Sequence, residues 1–450
     1  MKLVASAAAW LFAVSLAAHA VEDASDAYII DLPTTLRLAG ARNIDIQLAR
    51  EKLAEARATQ ESAIEKFFPS AAPGITYRRH DNLIQNTEGV IEDVHKQSYA
   101  PGGTIIAQTD LGDAIFKSLA AHQLVKAAGH AFDAQRENSI VSAAQAYFDL
   151  VATHSAAGVA REALCISSDY QTQIDKAVSI GLAFKGDALR VKVQRQRDEI
   201  ALQQAEEKVR LAAARLAQIL HLDPVVELRP HESQLLPLSL ISAMMPAGTL
   251  VEQAMAARPE AKENAALVVA ARVAKNGAVY GPLIPSFGGQ AFIGGLGGGK
   301  DSQTGNFGES EEYVGLLNWR IGPGGLFDFG EIHAQQARLR AARLTEEKVR
   351  DEIAQQVVTG RVRLLSLADQ LATARQLLSD AQENLRLDQE RKEFGVGIVL
   401  ETIVAEQELT RARTDYLRIV AEYNKVQYDL LRALGQISMD FTASRVTRSH

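Results

Sequence analysis

Two stretches of the chain carry the same hydrophobic stripe. Leu202, Ala205, Val209, Ala212, Leu216 and Ile219 alternate spacings of three and four residues. Tyr416, Ile419, Tyr423, Val426, Leu430 and Ala433 repeat that stripe, each displaced by 214 positions. Such a heptad seam predicts helices packed side by side, as in coiled coils. Similar displacements recur elsewhere. Pro69, in AIEKFFPS, and Pro285, in AVYGPLIPS, stand 216 apart, as do Arg42 and Arg258. Gly181, in SIGLAFKGDAL, and Gly395, in EFGVGIVLETI, stand 214 apart. The chain is therefore an internal duplication. Its repeats cover about 32–221 and 248–435, joined by a connector at 222–247. Prolines at 224, 230, 237 and 246 exclude one long helix from that connector.

Each repeat follows one plan. A helix of about thirty residues comes first, near Thr34 to Lys66 and Leu250 to Tyr280, and stops before Pro69 or Pro285. Strand-like segments follow at about 73–110 and 286–322. A very long helical pattern runs near Gly112 to Ile180 and Phe329 to Phe394, about 100 Å if continuous. A glycine-containing turn at Gly181 or Gly395 leads to a last helix, Asp187 to Leu220 or Leu400 to Leu434. The first and last helices together match the long one, so they are expected to stack end to end against it. The fold class is mostly α with a small β part.

The strand pairs are GITYRRHDN with SYAPGGTIIAQTDL, and SFGGQAFIGG with EEYVGLLNWRIG. NLIQNTEGVIEDVHKQ and GGLGGGKDSQTGNFGES are then expected as the polar loops joining each pair. Transmembrane barrel strands alternate apolar outward with polar inward residues between such loops. Val314 and Leu316 alternate with Gly315, Leu317 breaks the alternation, and Phe287, Phe292, Tyr313 and Trp319 suit a membrane interface. Four strands are too few to close a barrel, so a barrel requires several chains, and three would supply twelve strands. The competing reading is a helical protein with two surface hairpins. Gly294 to Lys300 has the spacing of a phosphate-binding loop, but Asp301 follows the lysine and no helical period comes after it. That chemistry argues against a nucleotide site, and an ATP-dependent enzyme resting on Gly294 to Lys300 stands only as the last of the competing readings.

Composition narrows the function classes. The chain has 450 residues, 47% hydrophobic and 23% charged, with a net charge of -7 and no basic run, which argues against nucleic acid. Residues 1–20, MKLVASAAAWLFAVSLAAHA, read as a secretory signal peptide ending in an A-x-A cleavage site. An exported chain with the single cysteine Cys165 does not rely on internal disulfides. After the signal no apolar run is long enough for a spanning helix, so a mature chain that crosses a membrane must do so as strands. No His/Glu or Cys/His metal spacing and no G-x-S-x-G elbow appears, so no enzyme and no cofactor is expected.

The stretches AARPEAKENAALVVAARVAKNGAVYGPLIPSF, IVSAAQAYFDLVATHSAAGVAREAL and FGVGIVLETIVAEQELTRARTDYLRIVAEYNKVQYDLLRALG, in this order and with the duplication, resemble the TolC-like outer-membrane efflux proteins. The resemblance runs from about Leu32 to Gly435 and leaves a tail at 436–450. It implies a homotrimer in the outer membrane of a Gram-negative cell: a twelve-stranded barrel in outer-membrane lipid above a periplasmic helical tunnel. Such a duct conducts passively. It works with a periplasmic adaptor (membrane fusion) protein and an inner-membrane transporter of RND or ABC type, as part of an efflux or type I secretion system. The alternative is a periplasmic coiled-coil structural or adaptor protein without a pore. The resemblance also places gate and selectivity candidates. Glu401 matches one acidic ring position, while Val404 stands where the family's best-known member has a second Asp. Asp187 matches a bonding Asp, its usual Tyr partner is replaced by Lys392, and an Arg of the lock by Gly397. An Asp187–Lys392 ion pair is the expectation. The bland reading of both acids is that carboxylates favour the positive ends of helices.

Overall fold

A computed structural model of the chain describes residues 28–437, except 224, 233, 242–244, 301–304 and 394–398. The side chains of Arg42, Lys392, Glu393, Val399 and Leu400 also lie outside the description. The signal segment at 1–20, most of the tail and the Gly395–Gly397 turn therefore fall outside the described residues.

The elements run β1 (Tyr28–Ile30), α1 (Leu32–Arg42), α2 (Ile44–Glu65), β2 (Ser70–Gln85), β3 (Ile91–Asp110), α3 (Leu111–Ser179) and α4 (Lys185–Leu220). They continue with β4 (Leu228–Pro230), α5 (Ala247–Ala257), α6 (Pro259–Tyr280), β5 (Ser286–Lys300), β6 (Asn306–Asn318), α7 (Phe329–Glu393) and α8 (Val399–Ala433). The helices form four columns. Helices α2 and α4 share the first and both pack on α3; α6 and α8 share the third, between α3 and α7. Short helices stacked against long ones give a layer about 100 Å long. Every member of the heptad seams on α4 and α8 is buried or half-buried.

The opening helix of each repeat differs from expectation: it is broken. At Asn43 (φ -64°, ψ 127°) the backbone turns extended, and the Asn43 carboxamide oxygen accepts from Asp45 N and Ile46 N, capping α2. Its Nδ2 donates to Ile219 O at 3.2 Å, tying the break to the end of α4. At Arg258 (φ -60°, ψ 131°) the cause is Pro259, whose ring drives the preceding residue out of the α region. The breaks mark the waist of the layer, where the largest core cluster gathers Leu36, Tyr147, Leu150, Leu216, Leu220 and Tyr428.

The connector crosses this waist. Its strand β4 pairs parallel with β1, Tyr28 opposite Leu228. Beyond it the described residues up to α5 form no regular element, their backbone held by two fully buried amides of α8. Leu238 N donates to Asn424 Oδ1 at 2.8 Å and Asn424 Nδ2 donates to Leu236 O at 2.9 Å. Gln427 Oε1 accepts from Leu240 N and Ile241 N, and its Nε2 donates to Leu238 O. A buried backbone without ladder partners requires such substitutes.

Strands β2, β3, β5 and β6 form one antiparallel sheet in the order β2-β3-β5-β6. They are longer, and their loops shorter, than the sequence suggested. Strand β2 runs to Gln85 and β3 starts at Ile91, while β5 runs through the glycine-rich segment to Lys300. GGLGGGK is therefore strand, not loop. Gly102 opposes Gly294, and Lys96 opposes Lys300.

Candidate functional site

Directly opposed residues of an antiparallel ladder share a face, so the register sorts the sheet. One face carries Ala71, Pro73, Ile75 and Tyr77 on β2, and Tyr99, Pro101, Gly103, Ile105 and Ala107 on β3. The same face carries Phe287, Gly289, Ala291, Ile293 and Gly295 on β5, then Tyr313, Gly315 and Leu317 on β6. No charged side chain interrupts this band on β2, β3 or β5, yet its large side chains are exposed, Ile75 to 76% and Ile293 to 54%. A band spanning positions 99–107 of β3 is about 30 Å of strand. Tilted as outer-membrane strands are, it covers about 20–25 Å, the height of a barrel's apolar belt. Tyr77, Tyr99 and Phe307 stand level at its far rim. Phe287 and Leu317 are opposed near the helices, with Trp319 just beyond β6. Trp319 Nε1 donates to Leu283 O at 3.2 Å.

The opposite face carries Thr76, Arg78 and His80 on β2, Lys96, Ser98, Thr104 and Gln108 on β3, Gln290 on β5, and Ser310 and Glu312 on β6. It is the more polar face, although Ile106, Leu296, Val314 and Leu316 also lie on it; the alternation of Val314 and Leu316 read from the sequence therefore falls here, and Leu317 falls on the apolar face. Phe292 is on this face with a cause: its ring covers Gly102 and Gly294, where a Cβ would fall 2.6 and 2.8 Å from it. On the apolar face Tyr99 covers Gly297 and Phe307 covers Gly295, and the two rings stack at 6.0 Å. Gly295 and Gly297 are thus seats for aromatic rings of the neighbouring strands β6 and β3, and Gly294 for a ring of its own strand. Both outer strands, β2 and β6, leave an unpaired edge more than ten residues long. Among the described residues no helix is long and apolar enough to cross a membrane.

Pro69 and Pro285 stand just before the first residues of β2 and β5. A proline ends each helix region and fixes extended entry into the strand.

The far end of the layer holds the other candidates. Gly181 has φ +78° in the turn between α3 and α4, a left-handed conformation suited to glycine. Around it Ile180, Leu182 and Phe184 are exposed, Phe184 to 82%. This apolar tip went unremarked in the sequence; its signal was the run of large apolar residues in a turn. Asp187 sits in the first turn of α4, with Arg190 Nη1 at 3.0 Å from its carboxylate. Glu401 sits in the first turn of α8, half-exposed, with Arg391 Nη1 of α7 at 3.8 Å. The Lys392 side chain lies outside the described residues, and so does its pairing with Asp187. Val404 is exposed. The two repeats touch here through Tyr170, Ile174, Val191 and Ile403, and Gln407 Nε2 donates to Gln194 Oε1 at 2.6 Å.

A buried polar cluster at the waist was also missed. Arg258, 2% exposed, donates to Gln356 of α7 at 2.6 Å and forks onto Glu260, which Arg432 of α8 also reaches at 3.2 Å. Glu137 of α3 lies close by. Burial pushes its carboxyl up to about 7, with Glu260 adding to the rise and Arg258 and Arg432 opposing it. The cluster joins α3, α6, α7 and α8 at one level.

Residues 250–436 match the family described as outer membrane efflux protein. No curated protein sequence matches the chain. The fold has close counterparts among solved structures. It resembles the CmeC outer membrane channel of Campylobacter jejuni with a TM-score of 0.77 at 16% identity, over 93% of this chain and 89% of that one. VceC of Vibrio cholerae gives 0.71 at 18% identity, over 90% and 96%. The MtrE outer membrane channel of Neisseria gonorrhoeae, in its open state, gives 0.71 at 19%, over 90% and 88%. At these identities the likeness is one of fold.

Proposed function

We infer that this chain, whose second repeat carries the outer membrane efflux protein family's pattern and whose length takes the fold of outer-membrane channels, is one protomer of a passive export duct. The observation that carries the reading is the four-stranded sheet, with an apolar face tall enough for a membrane and two open edges, continuous with a 100 Å helical layer. Long unpaired edges invite pairing, and lipid tolerates no unpaired backbone. Further copies satisfy both demands. Three copies would close twelve strands and continue the helix columns, α7 of one copy beside α2 and α4 of the next.

The apolar face would then meet outer-membrane lipid, and the polar face would line the lumen. Cargo would pass the helical tunnel below, with no chemistry asked of the protein. The tip at Ile180, Leu182 and Phe184 suits a partner, since exposed apolar clusters mark docking sites. A periplasmic adaptor would cover it, bridging to an inner-membrane transporter of RND or ABC type that supplies the energy. Three Glu401 side chains would converge where the tunnel narrows. Rings of carboxylates favour cations, and Arg391 beside each one moderates that field.

Removal of both hairpins, residues 70–110 and 286–318, tests the reading. A duct loses its place in the outer membrane and its heat-sensitive oligomer band. Retention of membrane partition and of export by that variant would favour a pore-free periplasmic role.

A further inference from the structure

The two open edges of the sheet carry opposite charge near the far rim of the apolar band. On β2 stand Arg78 and Arg79, on opposite faces. On β6 stand Glu309 and Glu311 on the face of Arg79, and Glu312 on the face of Arg78. Within the chain these rows lie at the two outer strands of a four-stranded sheet and cannot meet.

The register gives their relation in a closed ring. Along the ladder direction Tyr77, Tyr99, Gly297 and Phe307 are level. Continued by two residues, that line sets Arg79 level with position 305, short of the glutamates. Strands in a barrel tilt, however, so each copy joins the next with a stagger. The direction of the stagger follows from the ends of the hairpins. Strand β2 continues to Gln85, opposite Ile91, whereas β5 ends at Lys300, opposite Lys96. The far rim thus descends along the ladder from the first hairpin to the second. A rim flat in the membrane must descend again to the next copy, which moves Arg79 of that copy toward the helical end of β6. Tilts of 35–45° correspond to about four to six residues per copy. Only even offsets keep outward residues beside outward ones. An offset of four sets Arg79 opposite Glu309; an offset of six sets it opposite Glu311 and sets Arg78 opposite Glu312.

We propose that the seam between copies is closed by a charge clamp in which Arg79 of β2 meets Glu309 and Glu311 of β6 in the next chain, with Arg78 and Glu312 repeating the match on the other face. The clamp rests on the oligomeric duct reading and names the edge that joins each edge. In the single chain Arg79 forks onto Asp81 at 2.8 Å, and Asp81 also holds His95 at 3.0 Å. Closure would let Arg79 be shared between Asp81 and the incoming glutamates. Cross-strand pairs of opposite charge stabilise a ladder, and like charges oppose it, so the match also disfavours pairing β2 with β2 or β6 with β6.

Charge reversal tests the clamp in the full chain. Arg79→Glu alone, or Glu309→Lys with Glu311→Lys, should lower the temperature at which the SDS-resistant oligomer dissociates, and the combined variant should recover most of the loss. Unchanged temperatures for the separate reversals, or a combined variant weaker than either, would overturn the clamp. Cysteine pairs guard against misfolding. In a Cys165→Ser background, Arg79→Cys with Glu309→Cys or Glu311→Cys should oxidise to covalent oligomers. Within one chain β2 and β6 are three strand spacings apart, about 14 Å, too far for a disulfide. An oligomer that forms without either cross-link would sink the clamp and leave the duct standing. A wild-type chain that never oligomerises would overturn both.

Discussion

The connector at the waist depends on two side chains, and Asn424→Ala measures that dependence. Asn424 is fully buried and satisfies two backbone groups, Leu238 N–H at 2.8 Å and Leu236 C=O at 2.9 Å. Truncation strands both. An unsatisfied buried group costs about 1–3 kcal/mol, so the two together approach about 2–6 kcal/mol. The segment has no regular structure and can shift toward water, so the lower part of the range, about 2–3 kcal/mol, applies. The loss falls on the docked connector rather than on α8, whose own ladder is intact. Hydrogen exchange read by mass spectrometry reports such local opening directly. At about 1.4 kcal/mol per tenfold, peptides covering Leu236 to Ile241 should exchange roughly 30–150 times faster. Peptides from the middle of α3 should hardly change. Gln427→Ala should act in the same way at Leu240 and Ile241, which donate to its Oε1. Unchanged exchange across the connector in both variants would refute the claim that these amides hold it.

Other consequences concern packing, titration and charge. A Cβ on Gly112 would fall 2.0 Å from Gly281 O, so Gly112→Ala should destabilise by about 1–3 kcal/mol in thermal unfolding. Gly129→Ala on the same helix meets nothing within 4 Å and should stabilise by up to about 1 kcal/mol. Glu137, raised to about 7 from 4.5, is protonated when folded and ionised when unfolded between those values. Its contribution to stability is therefore present below about pH 4.5 and lost as pH rises through 7, and Glu137→Gln should flatten that part of a melting-temperature profile. In reversal-potential measurements Glu401→Gln should weaken cation preference and Arg391→Ala should strengthen it; equal selectivity in all three proteins would remove the acidic ring from the account.

Column architecture was legible because it rests on periodicity. The seams at Leu202 to Ile219 and Tyr416 to Ala433 repeat in phase, and a repeated stripe can only be buried by helices of matching length. The breaks at Asn43 and Arg258 were less visible. Asn43 sits inside an uninterrupted helical pattern; its cap is local, but the bond that ties the break to Ile219 O reaches 176 positions along the chain. The glycine run was misjudged for a related reason. Five glycines between Gly294 and Gly299 resemble a loop, and only the rings of Tyr99, Phe292 and Phe307 folding over them make a strand there sensible. At the tip the acids at helix starts were legible from position alone. Their partners Arg190 and Arg391 were not, because which neighbour a long side chain reaches is decided in three dimensions. The waist cluster around Arg258 gave no signal, since a buried charge network has no sequence period.

The claim that the chain forms a gated outer-membrane duct is tested most directly by single-channel conductance of the detergent-extracted oligomer in a planar bilayer, under opposed cation and anion gradients. A gated duct with an acidic ring should show a small, cation-preferring conductance from protein inserted as a trimer. Protein that inserts as a trimer and conducts without charge preference would contradict the acidic ring, and protein that never inserts would contradict the duct itself.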